Sequence, residues 1–158
     1  MKILIIFFSH TGHTRLVVDK VVDGLQNQGH LVTTFELQTV QPLDLSPEEV
    51  EIKDLPDVSP YGHIILGTPV HGGRMSAPLR RFLREDISLD GTSASVLLTH
   101  FFRKGWGAAQ TIQVIRRIIE DKGATYMGAV NVKWFSLFRK IAVSEVIDAL
   151  AVQINSAD

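Results

Sequence analysis

The sequence contains no cysteine. That excludes a disulfide framework, thiolate catalysis, cysteine-ligated zinc and iron–sulfur clusters, and it fits a cytoplasmic location. Long hydrophobic runs are also missing. The apolar stretch from Ile3 to Phe8 falls far short of the ~20 residues a spanning helix needs. Polar loop residues follow it with no small-residue cleavage pattern, so a secretory leader is not expected. Charge of one sign is lacking as well. The net charge of −1 leaves no broad field to attract nucleic acid or an anionic membrane. Six histidines occur, but none in an H-E-x-x-H or comparable ligand pair, so no metal is expected. Ser9 is not in a G-x-S-x-G elbow, which leaves hydrolase chemistry unsupported.

What is present has globular proportions. The chain has 158 residues, 45% hydrophobic and 21% charged, which suits one domain over residues 1–158 with a core of its own. Lys2 to Phe8 is an unbroken apolar run, the mark of a strand buried on both faces. The polar turn Ser9–Thr14 follows, then Leu16, Val17, Val21, Val22 and Leu25 at helical spacing, with Gly29 as a stop. Leu31 to Leu37 alternates as a second strand. Pro42, Pro47, Pro56 and Pro60 break up the next stretch. The spacing there predicts a short or irregular crossover, with Ser46 and Glu49 as a possible capping box.

A third strand is expected at His63–Gly67, a Gly- and Pro-rich loop at Thr68–Pro78, and a helix from Leu79. A fourth strand is expected at Ala94–Thr99, and a helix over Ala108–Lys122 with Ile112, Ile115, Ile118 and Ile119 on one side. A fifth strand at Tyr126–Val132 precedes a last helix over Val143–Ile154. Strands alternating with helices give a parallel sheet covered on both faces, with right-handed crossovers. Ligands of such sheets bind beyond the carboxyl ends of the strands, where strand order reverses. The loops after strands one, three and four therefore carry the functional weight.

The first loop, Ser9-His10-Thr11-Gly12-His13-Thr14, leads from a buried strand into a helix N-terminus. Unpaired first-turn N–H groups and the helix dipole favour an anion there. Gly12 permits a close approach or a positive φ, and Ser9, Thr11 and Thr14 add hydroxyls. The same residues also read as a plain polar turn with Thr11 or Thr14 capping the helix. Neither G-x-x-x-x-G-K-[ST] nor G-x-G-x-x-G is present in the loop.

S-x-T-G-x-T directly after the first strand resembles the phosphate loop of the flavodoxin family, [ST]-x-T-G-x-T. The element order resembles that family over nearly the whole chain. The resemblance implies a flavodoxin-like three-layer α/β sandwich, with a five-stranded parallel sheet in order 2-1-3-4-5 and helices on both faces. It also implies that Ser9, His10, Thr11, Gly12, His13 and Thr14 wrap the phosphate of FMN.

The second loop, Gly67-Thr68-Pro69-Val70-His71-Gly72-Gly73, is similar to the family's Gly-[ST]-Pro stretch beside the flavin. By that likeness Thr68, Pro69, Val70, His71, Gly72 and Gly73 line the ring. The Gly72–Gly73 peptide is the candidate to turn a carbonyl toward the flavin N5. Where the family often places a large aromatic, this chain has Val70 or His71. His71 is the one catalytic candidate: it could pack on the ring, relay a proton or simply be solvated.

The third loop holds His100, Phe101, Phe102, Gly105 and Trp106. Flat side chains suit a planar ring. Trp106 is the preferred stacking residue and Phe101 the next, although one phenylalanine could instead cover the end of the core. Gly105-x-Gly107-x-x-Gln110 lacks the placement and last residue of a dinucleotide fingerprint.

A flavin carries its own redox chemistry, which suits a chain without a nucleophile triad. Arg15, Arg74, Arg80, Arg81, Arg103 and Lys104 lie in or near these loops and predict a basic rim, hence a less negative two-electron potential than an acidic carrier has. Two readings follow from the resemblance. One is an electron carrier docking on a redox partner protein. The other is an NAD(P)H-dependent FMN or quinone reductase, with a quinone as small-molecule acceptor. A third reading, of another class, is a flavin-free binding or regulatory module on the same fold. A receiver domain is ruled out, because Ser9-His10-Thr11 stands where an acidic cluster is needed. Trp134, Phe135 and Phe138 form an aromatic patch suited to a homodimer or docking face, or to core beneath the last helix.

Overall fold

The computed structural model describes residues 1–41, 50–100, 107–133 and 139–157. The first strand, β1 (Lys2–Phe7), shows why its sequence has no polar break. Ile3, Ile5 and Phe7 enter one hydrophobic cluster, while Leu4 and Ile6 enter another on the opposite face. Alternate side chains point to opposite faces, so a strand covered twice must be apolar at every position.

Helix α1 (His13–Asn27) leads to β2 (Leu31–Glu36), an edge strand paired parallel to β1. No helix intervenes among the described residues between β2 and the next strand. An isolated antiparallel bridge, Thr39 to Ile52, ties that crossover together, and Leu37, Val50 and Val58 are buried along it. The described part, with Pro56 and Pro60, is irregular as expected, and Pro42 and Pro47 lie outside the described residues. The Ser46–Glu49 capping box lies outside the described residues.

Strand β3 is longer than its sequence suggests. It runs His63–His71, turns at Gly72-Gly73 and returns as the two-residue β4 (Arg74–Met75). The expected boundary at Gly67 is therefore corrected: Thr68 to His71 are strand, not loop. Pro69 has no N–H to give to a ladder. It still takes a place in the parallel ladder, opposite Thr99. Beyond it, Val70 pairs with Met75 and His71 with Arg74. Gly72 and Gly73 have φ of 55° and 76°, the two positive values that a type I′ hairpin turn requires.

The rest follows in order: α2 (Ala77–Arg84), β5 (Ser93–His100), α3 (Ala108–Asp121), β6 (Thr125–Lys133) and α4 (Arg139–Asn155). The sheet runs β2-β1-β3-β5-β6, with β4 attached to β3 alone. Its five long strands are all parallel and follow the expected 2-1-3-4-5 order. Helices α2 and α3 supply Leu79, Phe82, Ile115 and Ile119 to one core layer. Helices α1 and α4 supply Val18, Val21, Val146 and Leu150 to the other. Among the described residues no helix is long and apolar enough to cross a membrane. The aromatic patch Trp134, Phe135 and Phe138 lies outside the described residues.

Candidate functional site

Strand order reverses between β1 and β3: the chain leaves β1 for β2 on one side and returns to β3 on the other. The carboxyl ends of these strands, and of β5, open onto the first turn of α1, the β3–β4 hairpin and the entry of α3. Such a crevice is where open parallel sheets take ligands.

The turn after β1 is shaped by Gly12. It is the N-cap of α1, with φ 82° and ψ −6°, and as a glycine it gives the helix no side-chain cap of its own. A Cβ at Gly12 would meet nothing within 4 Å, so its φ, and not crowding, calls for glycine. A left-handed residue followed by a helical one aims successive N–H groups into a shared concavity that suits an anion. The hydroxyls expected to help divide their work. Ser9 Oγ accepts the Arg15 N–H at 3.2 Å, which closes the turn. Thr11 is exposed, with its Oγ1 3.0 Å from His13 Nδ1. Thr14 is buried, and its Oγ1 lies 2.8 Å from Thr99 Oγ1 at the end of β5. Neither Thr11 nor Thr14 caps the helix by side chain. His10 is exposed.

In the second segment, Thr68 is fully buried. Its Oγ1 accepts the Ser76 N–H at 3.0 Å and lies 3.0 Å from Ser76 Oγ. Ser76 is the N-cap of α2, so Thr68 joins the strand to that helix and does not project from a loop. Pro69 is buried, and Val70 packs on the core cluster of α2 and α3. His71 and Gly72 are exposed at the hairpin tip, where a ligand can reach them.

In the third segment the structure describes His100, half-buried at the end of β5 and opposite Lys133 in register. Phe101, Phe102, Gly105 and Trp106 lie outside the described residues, as do Arg103 and Lys104. The segment re-enters at Gly107, the N-cap of α3. Its φ of 81° and ψ of −5° repeat those of Gly12 within a degree. Here the glycine is also crowded: a Cβ would lie 2.5 Å from the Gly73 carbonyl oxygen. Thr111, buried in the first turn of α3, donates its hydroxyl to that same carbonyl at 3.1 Å.

Among the described residues, two of the cations expected at the rim have carboxylate partners. Arg15 is paired with Glu36, and Arg81 with Glu85 at 2.9 Å. Exposed pairs of this kind contribute little stability, but each places a carboxylate beside its cation. Among the described residues no group of three or more His, Asp or Glu side chains could hold a metal ion.

Sequence reasoning brought the first turn and the hairpin tip to one edge. It missed Thr99, Ser76 and Thr111, the residues that lock these segments together. Nothing local marks them, because their partners are set by the packing of distant elements.

Comparison with solved structures agrees with the strand order. Flavodoxin 2 from Bacillus cereus superposes with a TM-score of 0.70 at 21% identity, covering 97% of this chain and 99% of that one. The fold is flavodoxin-like. A flavodoxin from the domain Archaea gives a TM-score of 0.64 at 14% identity over 97% and 99% of the two chains. The Trp repressor binding protein from Bacillus subtilis gives 0.66 at 16% identity over 97% and 99%. In sequence, an NAD(P)H dehydrogenase (quinone) from Methylocella silvestris is 26% identical over 89 residues, 52% of this chain and 45% of that protein. Its namesake from Caulobacter vibrioides is 23% identical over 88 residues, 51% and 44%. The chain thus aligns with less than half the length of either of these relatives. No family model matches the sequence.

Proposed function

We propose that the chain is a single-domain flavoprotein that binds FMN at the β1/β3 switch point and passes electrons through it. The observation that carries this reading is the N-terminus of α1, where the N-cap is a glycine and Ser9 takes up the Arg15 N–H alone. Gly12 holds a left-handed φ with open space beside it and no side-chain cap, inside S-x-T-G-x-T at the site where the strand order reverses. A phosphate fits that turn through the backbone from Gly12 to Thr14 and the Thr11 hydroxyl, with Ser9 and Thr14 holding the turn in shape. The flavin ring would lie toward His71, Gly72 and Gly73 on one side and toward His100 with Phe101, Phe102, Gly105 and Trp106 on the other. Bound FMN would supply the electron transfer, and the protein its position and electrostatics.

A second reading, an NAD(P)H-dependent FMN or quinone reductase, is favoured by the quinone dehydrogenases among the sequence relatives. In it His71, exposed at the hairpin tip, is the residue placed to meet a substrate proton.

An absorption spectrum of the purified protein, followed by FMN titration, tests the proposal. Flavin bands, or quenched FMN fluorescence with a dissociation constant of micromolar or below, are expected. No uptake at micromolar FMN would overturn it and leave a flavin-free binding module as the better account. Steady NAD(P)H oxidation with a quinone by the flavin-loaded protein would select the reductase; its absence would select a carrier that docks on a redox protein.

A further inference from the structure

We infer that Thr111 is a positioning residue of the flavin site, acting through Gly73 to hold the hairpin tip against the entry of α3. The inference rests on the FMN reading above and deepens it by naming what sets the ring-facing hairpin in place.

The two glycines of the turn are treated differently by their surroundings. Gly72 faces open space, with nothing within 4 Å of where a Cβ would be, and it is exposed. Gly73 is held from two directions. The Thr111 hydroxyl donates to its carbonyl at 3.1 Å. The Gly107 backbone packs so closely that a Cβ there would overlap the Gly73 Cα and lie 2.7 Å from its carbonyl carbon. At its base the hairpin is closed by the His71–Arg74 pair, and beyond that pair Met75 is buried in the core. The peptide between Gly72 and Gly73 is therefore the part of the tip with freedom to turn, while the Gly73 carbonyl stays fixed.

The clamp joins residues 38 apart in sequence. It couples the second ligand-facing segment to the third, because Gly107 is both the N-cap of α3 and the surface against which the tip rests. Thr111 is buried, and its hydroxyl is given to the Gly73 carbonyl. It acts on a ligand only through the posture of the hairpin. A freed tip would sample more conformations and pay ordering entropy when a ligand binds.

The test compares Thr111→Val and Thr111→Ser with the wild-type protein. Valine keeps the volume and β-branching but cannot donate; serine restores the hydroxyl. T111V is expected to lose hydrogen-exchange protection at the hairpin tip in the flavin-free protein. It should bind FMN and riboflavin with the same weakening, about fivefold to tenfold, the worth of one hydrogen bond, since the hairpin is assigned to the ring that both ligands share. The separation between the two one-electron midpoint potentials of bound FMN should also change, which a loss of global stability alone would not produce. T111S should return all three toward wild type. If wild-type protein binds FMN but T111V has the same affinity and the same potentials, the positioning role is overturned while the site stands. If wild-type protein takes up no FMN, the site reading falls and the positioning role falls with it.

Discussion

Thr14 Oγ1 and Thr99 Oγ1 lie 2.8 Å apart, both side chains buried. Thr14 stands in the first turn of α1 and Thr99 at the carboxyl end of β5. One hydrogen bond therefore fixes the proposed phosphate turn to a strand two places across the sheet. The Thr14 hydroxyl that motif reading offers to a ligand is spent on the scaffold, which leaves the backbone of the turn and the Thr11 hydroxyl for the proposed anion.

Removing one partner of this pair should cost more than removing both. Thr14→Val leaves the Thr99 hydroxyl buried without its partner, at about 1–3 kcal/mol. The double variant Thr14→Val/Thr99→Val leaves neither hydroxyl, and its loss should be smaller than the sum of the singles. Urea denaturation of the four proteins closes the cycle. Additive losses would show that the two hydroxyls do not depend on each other.

Gly12 should tolerate asparagine better than alanine. Its φ of 82° costs an L-residue about 1–2 kcal/mol, a penalty Asn partly escapes through local hydrogen bonding. Gly12→Ala should lower the melting temperature and weaken FMN far more than riboflavin, which lacks the phosphate. Equal weakening of both ligands, read by fluorescence quenching, would move the phosphate away from this turn.

Acid should destabilise the fold through His63. This residue is fully buried at the start of β3, with its Nδ1 2.6 Å from Ser93 Oγ and its Nε2 without a partner among the described residues. Burial, and then the nearby His30, push its pKa from 6.5 down to about 4. Between those values the unfolded chain binds a proton that the folded chain refuses. Stability is therefore full above pH 6.5 and falls as the pH drops toward 4, by roughly 3 kcal/mol in all. Urea midpoints across that range should slope for wild type and flatten for His63→Gln. An unchanged slope in the variant would assign the effect to other groups.

Arg74 offers a test of the rim. It is exposed at the end of the hairpin, whereas Arg15 and Arg81 are paired with carboxylates. Arg74→Glu should lower the two-electron potential of bound FMN by roughly tens of millivolts, an effect that shrinks as salt is added. A potential that does not move at low ionic strength would place the ring far from the hairpin.

The strands and their two-sided burial are legible because the sheet is parallel and doubly covered; their order is what the flavodoxin resemblance implies, and the structure agrees with it. Ile3 to Phe7, Ile64 to Leu66 and Val96 to Leu98 are buried runs that no half-exposed strand could carry. The end of β3 is hidden in the sequence because Gly67 and Pro69 look like strand breakers. Gly72-Gly73 is a hairpin signal, but it has force only once Val70 and His71 are known to be extended.

By itself the sequence determined the local features: two-faced strands from unbroken apolar runs, amphipathic helices from residues at helical spacing, and a glycine-opened turn ahead of α1. These depend on residues within a few positions of one another, where periodicity and backbone sterics decide the outcome. Only the tertiary structure decided that Thr14 meets Thr99 across 85 positions and that Thr111 holds Gly73 across 38. Those partners follow from sheet register and helix packing, and a hydroxyl's own neighbours in sequence do not reveal which distant group the folded chain will set within hydrogen-bond reach.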